Sequence, residues 1–269
     1  MLLVSFLGAL IGLVMGMTGA GGGILAVPAL VAGLGLSMTA AVPISLMAVG
    51  VSALVGAIDG LSKKIVRYRA AALMAVLGSL MSHVGITLAH VLPETVLMTL
   101  FALVMLLAAW RMARGRRDAT APADVESTRN CMLNPDTGKL RWTPLCATTL
   151  AGIGATTGLF AGLLGVGGGF IVVPAFKRFT NVDMHSIVAT SLTVIALISI
   201  GTVASLLARG TQISATGWNF VAAAVVGMIA GRLIAGHMPA RLLQGAFSAI
   251  AVAVAVILLC KTYAPGLLA

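Results

Sequence analysis

The sequence predicts an all-α protein: a polytopic membrane helical bundle of two homologous halves, with about eight membrane blocks, the first and fifth broken at glycine-rich clusters. Three observations carry this expectation. First, of 269 residues 59% are hydrophobic and only 9% charged, with 32 Gly and 14 Met, whereas a soluble domain carries roughly a quarter charged residues. So few charges cannot cover a water-facing surface. Second, the apolar runs at 70–89 and 97–110 are unbroken. A membrane β-barrel would alternate polarity instead, and a helix satisfies its own backbone in lipid. Third, a gapless shift of 146 positions aligns Gly8, Gly12, Gly16, Gly19, Gly21, Gly22, Gly23 and Pro28 with Gly154, Gly158, Gly162, Gly165, Gly167, Gly168, Gly169 and Pro174. The same shift pairs Met38 with Met184, Val42 with Val188, Ser45 with Ser191 and Leu46 with Leu192, so the chain reads as a duplication.

In order, charged and turn-rich breaks leave apolar blocks at 1–36, 38–58, 70–90, 95–113, 145–176, 184–208, 215–236 and 242–262. Most are long enough to span a hydrocarbon core of about 30 Å at about 1.5 Å per residue. The first and fifth are too long for one span and each contains a glycine cluster, so each reads as two half-helices meeting at a break. The expected division is 1–113 for the first membrane repeat, 114–144 for a cytoplasmic linker and 145–269 for the second repeat. Within the linker, Asn134-Pro135-Asp136-Thr137-Gly138 is a turn signature before Lys139-Leu140-Arg141-Trp142, which suggests a small hairpin at the membrane surface. Met1 opens into Leu2, Leu3 and Val4 without a basic region, so no cleaved leader is expected. Cys131, Cys146 and Cys260 lie far apart with no paired spacing, which indicates neither a disulfide framework nor a metal site.

The net charge of +10 reads as topology and not as nucleic-acid binding. If every block is one span, 13 basic residues share the linker's side and 4 lie opposite; if each glycine cluster reverses the chain, the division is 15 against 2. Both arrangements put the linker in the cytoplasm of a bacterial inner membrane. The first makes the halves parallel and the second makes them inverted, and the sequence leaves this parity open.

The glycines fall into two groups with different physics. Gly8, Gly12 and Gly16, like Gly154, Gly158 and Gly162, recur every four residues and form a smooth helix face for close packing. Gly19, Gly21, Gly22 and Gly23, like Gly165, Gly167, Gly168 and Gly169, put four glycines in five residues and leave the helix unwound. Unsatisfied amides inside a bilayer cost several kcal/mol each, so such a break calls for a polar occupant. The half-helix that follows points its positive end back into the break, and two of these would make a site for one small oxyanion. No Gly-Lys-Ser/Thr follows either cluster, the neighbours are not βαβ, and the breaks hold no Ser or Cys nucleophile. A phosphate loop, a dinucleotide site and an intramembrane protease are thereby disfavoured, and no cofactor or metal is expected. Ser45, Thr190 and Ser191 could add hydroxyls to the anion, or could bond carbonyls of their own helices, and Thr18, Thr156 and Thr157 flank the breaks. Asp59 and Asp183 sit at block edges. His83 and Arg232 fall inside apolar blocks at comparable places in the two halves and are candidates for charge compensation, with snorkelling toward the cytoplasmic interface near Arg241 the favoured reading for Arg232.

At these residues the chain resembles the sulfite exporter TauE/SafE family of membrane permeases. The resemblance rests on the duplicated Gly-x3-Gly-x3-Gly-x2-Gly-x-Gly-Gly-Gly-x4-Pro pattern at 8–28 and 154–174, on Thr190-Ser191-Leu192, and on the linker at 134–143. It implies a secondary carrier, without ATP, that moves sulfite or related organosulfonates across the cytoplasmic membrane, usually outward. One departure is that Pro43-Ile44-Ser45 stands where the second half has Ala189-Thr190-Ser191, so the hydroxyl pair is complete only once and the site is asymmetric. The expected partners are a small anionic substrate, the lipid bilayer and, as candidate coupling ion, protons; nucleic acid is not among them and the oligomeric state is not legible. A passive channel for anions or small solutes is the alternative, with an intramembrane enzyme behind it.

Overall fold

The computed structural model describes residues 2–18, 22–115, 130–132, 140–208, 210, 214–235 and 240–263. Their helical segments are α1 (Leu2–Thr18), α2 (Gly22–Gly33), α3 (Met38–Ser62), α4 (Tyr68–Val91), α5 (Glu94–Gly115), α6 (Pro144–Leu164), α7 (Gly169–Phe179), α8 (Met184–Ala208), α9 (Ala215–Ala235) and α10 (Ala240–Tyr263). Among the described residues five helices, α3, α4, α6, α8 and α9, are long and apolar enough to cross a membrane. The only β pairing among them is an isolated bridge between Cys131 and Thr180, in keeping with the predicted all-α class.

Local chemistry accounts for the helix ends. Thr143 caps α6, its hydroxyl accepting the Cys146 amide at 3.1 Å ahead of Pro144 in the first turn. Ser37 accepts the Ala40 amide at 3.4 Å to cap α3, and Asp183, its counterpart under the 146-residue shift, accepts the Ser186 amide at 3.1 Å to cap α8. Burial pushes the Asp183 carboxyl up, but the hydrogen bonds from Ser186 outweigh it and hold the group below the usual carboxylate range. Gly165, in the left-handed region at φ 72°, ends α6.

Helix pairs form across the chain's midpoint. Gly8, Gly12 and Gly16 of α1 lie on Phe220, Ala224 and Met228 of α9, and Gly154, Gly158 and Gly162 of α6 lie on Met74, Gly78 and Ser82 of α4. Both pairs run parallel, and a methyl on Gly12 or Gly158 would overlap the facing backbone, so these glycine faces serve packing as predicted. At the centre α3 and α8 cross antiparallel, since Gly50 faces Ser199, Gly56 faces Leu192 and Gly60 faces Ala189. α5 and α10 are antiparallel as well, with Ser248 donating to the Ala109 carbonyl at 3.1 Å and Thr99 bonding Tyr263 at 3.0 Å.

Both glycine clusters reverse the chain. Gly22 packs on Met15, and a methyl on Gly33 would come within 2.8 Å of the Leu7 side chain, so α2 returns alongside α1. Gly168 packs on Thr157 in the same way. The end of α7 then reaches the start of α6, where the Phe179 carbonyl accepts the Cys131 amide at 3.0 Å and Cys131 is disulfide-bonded to Cys146 in the first turn of α6. The two Cα atoms are 4.9 Å apart. This pairing corrects the expectation from sequence, because the return of α7 creates a proximity that residue spacing does not encode. Of the predicted hairpin, the turn at 133–139 lies outside the described residues, while its flanks are joined by the Arg141 amide and the Met132 carbonyl at 2.8 Å.

Candidate substrate site at the paired glycine turns

The two turns meet in the middle of the bundle. Val49 and Ile195 each stand twelfth in their 25-residue helices, α3 and α8. Gly167, at φ 71°, packs between them, its missing methyl 2.7 Å from Val49 and 3.0 Å from Ile195. Gly23 packs on the same Val49, and a methyl there would lie 3.0 Å from the Val166 carbonyl oxygen of the other turn. The sequence gives no reason for two segments so far apart to touch; the crossing of α3 and α8 does it.

The second turn is built from Gly165, Gly167 and Gly168, with φ of 72°, 71° and 73°. An L-residue pays about 1–2 kcal/mol in this region, so three such positions in four residues require glycine. Gly168 is the N-cap of α7 and its carbonyl accepts the Ile171 amide at 3.0 Å, while Gly169 is the first helical residue and is buried. The first amides of α7 precede any acceptor of that helix. In the first turn, Gly22 and Gly23 open a 3-10 segment, Gly22–Leu25, and the Gly22 amide donates to Thr18 Oγ1 at 3.1 Å. Gly19 and Gly21 lie outside the described residues.

The predicted hydroxyls divide. Ser45, fully buried, donates to the Gly165 carbonyl at 2.6 Å and so anchors α3 to the second turn. Thr190, also buried, accepts the Arg67 amide at 3.0 Å and ties α8 to the 63–67 loop, away from the turns. Ser191 and Thr157 are buried with no hydrogen-bond partner. Thr157 is the residue against which Gly168 packs, with its carbonyl 2.9 Å from the missing methyl. Two more unpartnered hydroxyls, Ser52 and Ser199, stand where α3 and α8 cross, Ser199 facing Gly50. Sequence reasoning passed over these two. A serine in an apolar helix is ordinarily satisfied by its own i−4 carbonyl, and only the packed bundle reveals which serines are not. Thr156 follows the ordinary course, donating to the Gly152 carbonyl at 2.8 Å.

A small cavity of about 50 Å³ adjoins the second turn, lined by Thr39, Val42, Pro43, His90, Gly162 and Leu206 among others. Val42 also backs on Gly165. Pro43 has no amide to offer the Thr39 carbonyl, which adds an acceptor to an otherwise apolar wall. The cavity sits among the start of α3 and the ends of α4 and α8, on the face opposite the linker. Charged groups are absent from the turns among the described residues: Asp59 is paired with Arg232 and, at 3.0 Å, with Lys63 toward the linker face. No group of three or more potential metal ligands occurs among the described residues.

The family model described as "Sulfite exporter TauE/SafE" matches residues 4–258. A probable membrane transporter protein of Xylella fastidiosa strain Temecula1 / ATCC 700964 is 31% identical over 265 residues, covering 96% of this chain and 94% of that protein. Its namesake from strain 9a5c is 31% identical over 263 residues, with the same coverage of each chain. No solved structure matches. With the match running over nearly the whole length, and over both glycine turns, this chain is a membrane transporter that belongs to the sulfite exporter TauE/SafE family.

Proposed function

We propose that this chain is a secondary transporter that carries small sulfur-containing anions, sulfite or organosulfonates, outward across a bacterial cytoplasmic membrane. The observation that carries the reading is the meeting of the two glycine turns at the mid-depth of α3 and α8, with Thr157, whose buried hydroxyl is unpartnered, against Gly168, and the unpartnered Ser191 one helical turn before Ile195. A polar atom buried without a partner costs about 1–3 kcal/mol, and a bound oxyanion would satisfy it. The backbone amides at Gly23, Gly168 and Gly169 and the start of α7 supply positive potential without a fixed cation, while the Gly22 amide is held by Thr18. Ser191 and Thr157 contribute hydroxyls, and Ser45 holds the second turn in shape. Gly165 and Gly167 complete the second turn and Thr190 braces α8 from the side, while Gly19 and Gly21 belong to this reading by sequence alone.

In this reading the two halves, 1–113 and 145–269, are repeats of opposite orientation joined by the 114–144 linker. The antiparallel crossing of α3 and α8 and the two chain reversals support it, as does the resulting charge division of 15 basic residues on the linker face against Arg209 and Lys261 opposite. That division puts the linker in the cytoplasm. Rocking of one half against the other about the α3–α8 crossing would alternate access, with the cavity at Val42 and Gly162 as the approach from the far face. Protons are the candidate coupling ion, since no charged side chain forms a sodium cage among the described residues near the turns.

The test is flux of labelled sulfite in proteoliposomes, with sulfate and acetate as competitors. Saturable flux with counterflow is expected, lost in Gly22→Val and Gly168→Val. Because those substitutions also overlap Met15 and Thr157, Thr157→Val and Ser191→Ala are measured beside them: each should stay folded, with equal or higher thermal stability, yet lose affinity by about tenfold for one hydrogen bond. Non-saturating flux without counterflow would establish a channel, and unchanged affinity in both hydroxyl variants would remove the anion from this site.

A further inference from the structure

A polar contact at the α4–α8 crossing lies outside the site just described. Asp59 on α3 and Ser205 on α8 are counterparts under the 146-residue shift. Each bonds a basic side chain on the outer helix packed against its own: Asp59 takes Arg232 of α9, and Ser205 takes His83 of α4. The two contacts occupy opposite ends of the bundle, the first toward the linker face and the second toward the far face. The first is an ion pair. The second has an imidazole in place of the guanidinium, a ring whose second nitrogen can either accept or donate a hydrogen bond.

The His83 geometry determines its hydrogens. Nδ1 lies 2.7 Å from the Ser79 carbonyl oxygen, and a carbonyl only accepts, so Nδ1 carries a proton in either state. In neutral imidazole, Nε2 is then an acceptor for the Ser205 hydroxyl. In imidazolium, Nε2 becomes a donor and Ser205 Oγ accepts, while the serine proton turns to the Gly201 carbonyl 3.2 Å away. Both protonation states are therefore satisfied in one arrangement of heavy atoms, by rotation of a single hydroxyl. Next to it, Thr202 donates to Ser82 at 2.9 Å and Ser82 to the Ser79 carbonyl at 2.8 Å, extending the polar seam.

Little else charged faces this imidazole. α6 carries no acidic, basic or imidazole group along its length, and α8 carries only His185, in its first turn at the opposite end. On α4 itself the nearest titratable group is His90, two turns on, whose Nδ1 is bonded to the Ile86 carbonyl at 2.8 Å. Glu94, at the start of α5, accepts the Met38 amide at 2.9 Å. Arg209, one turn past Ser205, lies outside the described residues. A proton taken up by His83 thus meets no carboxylate among the described residues, and a mobile anion is the natural counter-charge. The anion's turn is close by, since the adjacent Ser82 backs on Gly162, three residues before Gly165.

We propose that His83 is the proton-binding site of this transporter, loaded and unloaded through the Ser79–His83–Ser205 contact so that a proton accompanies the anion. The coupling rests on the anion-carrier reading; the proton site does not. Two measurements on the full-length reconstituted protein separate them. Imidazole nitrogen NMR of histidine-labelled protein, recorded from about pH 5 to 8 with His83 assigned from His83→Gln, should show Nε2 changing from acceptor to protonated donor as acid is added while Nδ1 keeps its proton. A His83 held in one protonation state across that range would overturn the proposal. The second uses methanesulfonate, whose charge is constant over this range, with a pH dye inside the vesicles. Wild type should acidify or alkalinise the lumen as the sulfonate moves, whereas His83→Gln should keep sulfonate counterflow within a few-fold and lose at least about tenfold of the proton movement. Unchanged proton movement in that variant would also overturn it. If wild type moves neither sulfonate nor sulfite, the substrate reading fails, and the nitrogen spectra still decide whether His83 binds the proton.

Discussion

The two glycine turns share a glycine and proline pattern residue for residue, yet they are not built alike. After the first, the chain passes through a 3-10 segment, one turn of α-helix and a π segment at Ala29–Gly33; after the second, α7 is a continuous helix of 11 residues. Gly22 packs on Met15, whereas its counterpart Gly168 packs on Thr157, about one helical turn further back along its helix. The second turn is also clamped, because Phe179 at the end of α7 is held by Cys131 and through it by Cys146, while Ser45 holds Gly165. The repeated pattern decides that the helix breaks, and the surroundings decide how the chain turns back and how far. The deeper turn ends against Thr157, whose hydroxyl has no partner, whereas the first ends on Met15.

The largest effect should come from the seams common to both halves. Gly12→Leu and Gly158→Leu would each drive a side chain into facing backbone at Ala224 and Gly78. Overpacking of this kind costs about 1–3 kcal/mol, and more where backbone cannot yield. Both should lose monodisperse protein on size exclusion, to a similar degree if the seams are equivalent. The turns should then differ. Gly168→Ala adds left-handed strain of about 1–2 kcal/mol to an overlap with Thr157, and Thr157→Ser should recover part of the loss by removing the struck methyl. Gly22→Ala, without a positive φ, should show overlap with Met15 alone and no such rescue. Thermal unfolding of Gly168→Ala, of Gly168→Ala combined with Thr157→Ser, and of Gly22→Ala measures this.

The clamp gives the next step. A cross-link closing a loop of about 15 residues contributes roughly 3 kcal/mol, so Cys131→Ser should lower the unfolding midpoint and expose the linker to protease while leaving the first turn unaffected. Both cysteines are fully buried, so soluble reductant should act only after the segment at 130–132 detaches. The smallest difference concerns the paired caps. Ser37→Ala and Asp183→Ala should each cost at most about 1 kcal/mol, but with different pH dependence. The folded Asp183 carboxyl sits below its usual range, so its contribution is complete above the unfolded titration and is lost as pH falls through the folded one. The Asp183→Ala deficit should therefore shrink in acid, and the Ser37→Ala deficit should stay constant.

Much of this was legible in one dimension. Low charge and long apolar runs require helices in lipid, and four glycines in five residues require a break, because these are consequences of composition and local conformation. Ser37, Thr143 and Asp183 cap their helices for similarly local reasons. Ser45 and Thr190 could be recognised as buried polar residues, but not their partners, Gly165 in one case and the Arg67 amide in the other. The free hydroxyls of Ser52 and Ser199 were invisible, since being unpartnered is a property of the whole neighbourhood.

The sequence by itself therefore determined that this protein lives in a bilayer, that it is helical, and where its helices must break or pack closely. Only the tertiary structure decided that the turns reverse direction, that α3 and α8 cross antiparallel, that Gly23 meets Val166, and that Cys131 finds Cys146 and His83 finds Ser205. The physical reason is range. Solvation and backbone strain act on a residue through its immediate neighbours in the chain, whereas contacts between helices dozens of residues apart depend on how all the spans pack at once.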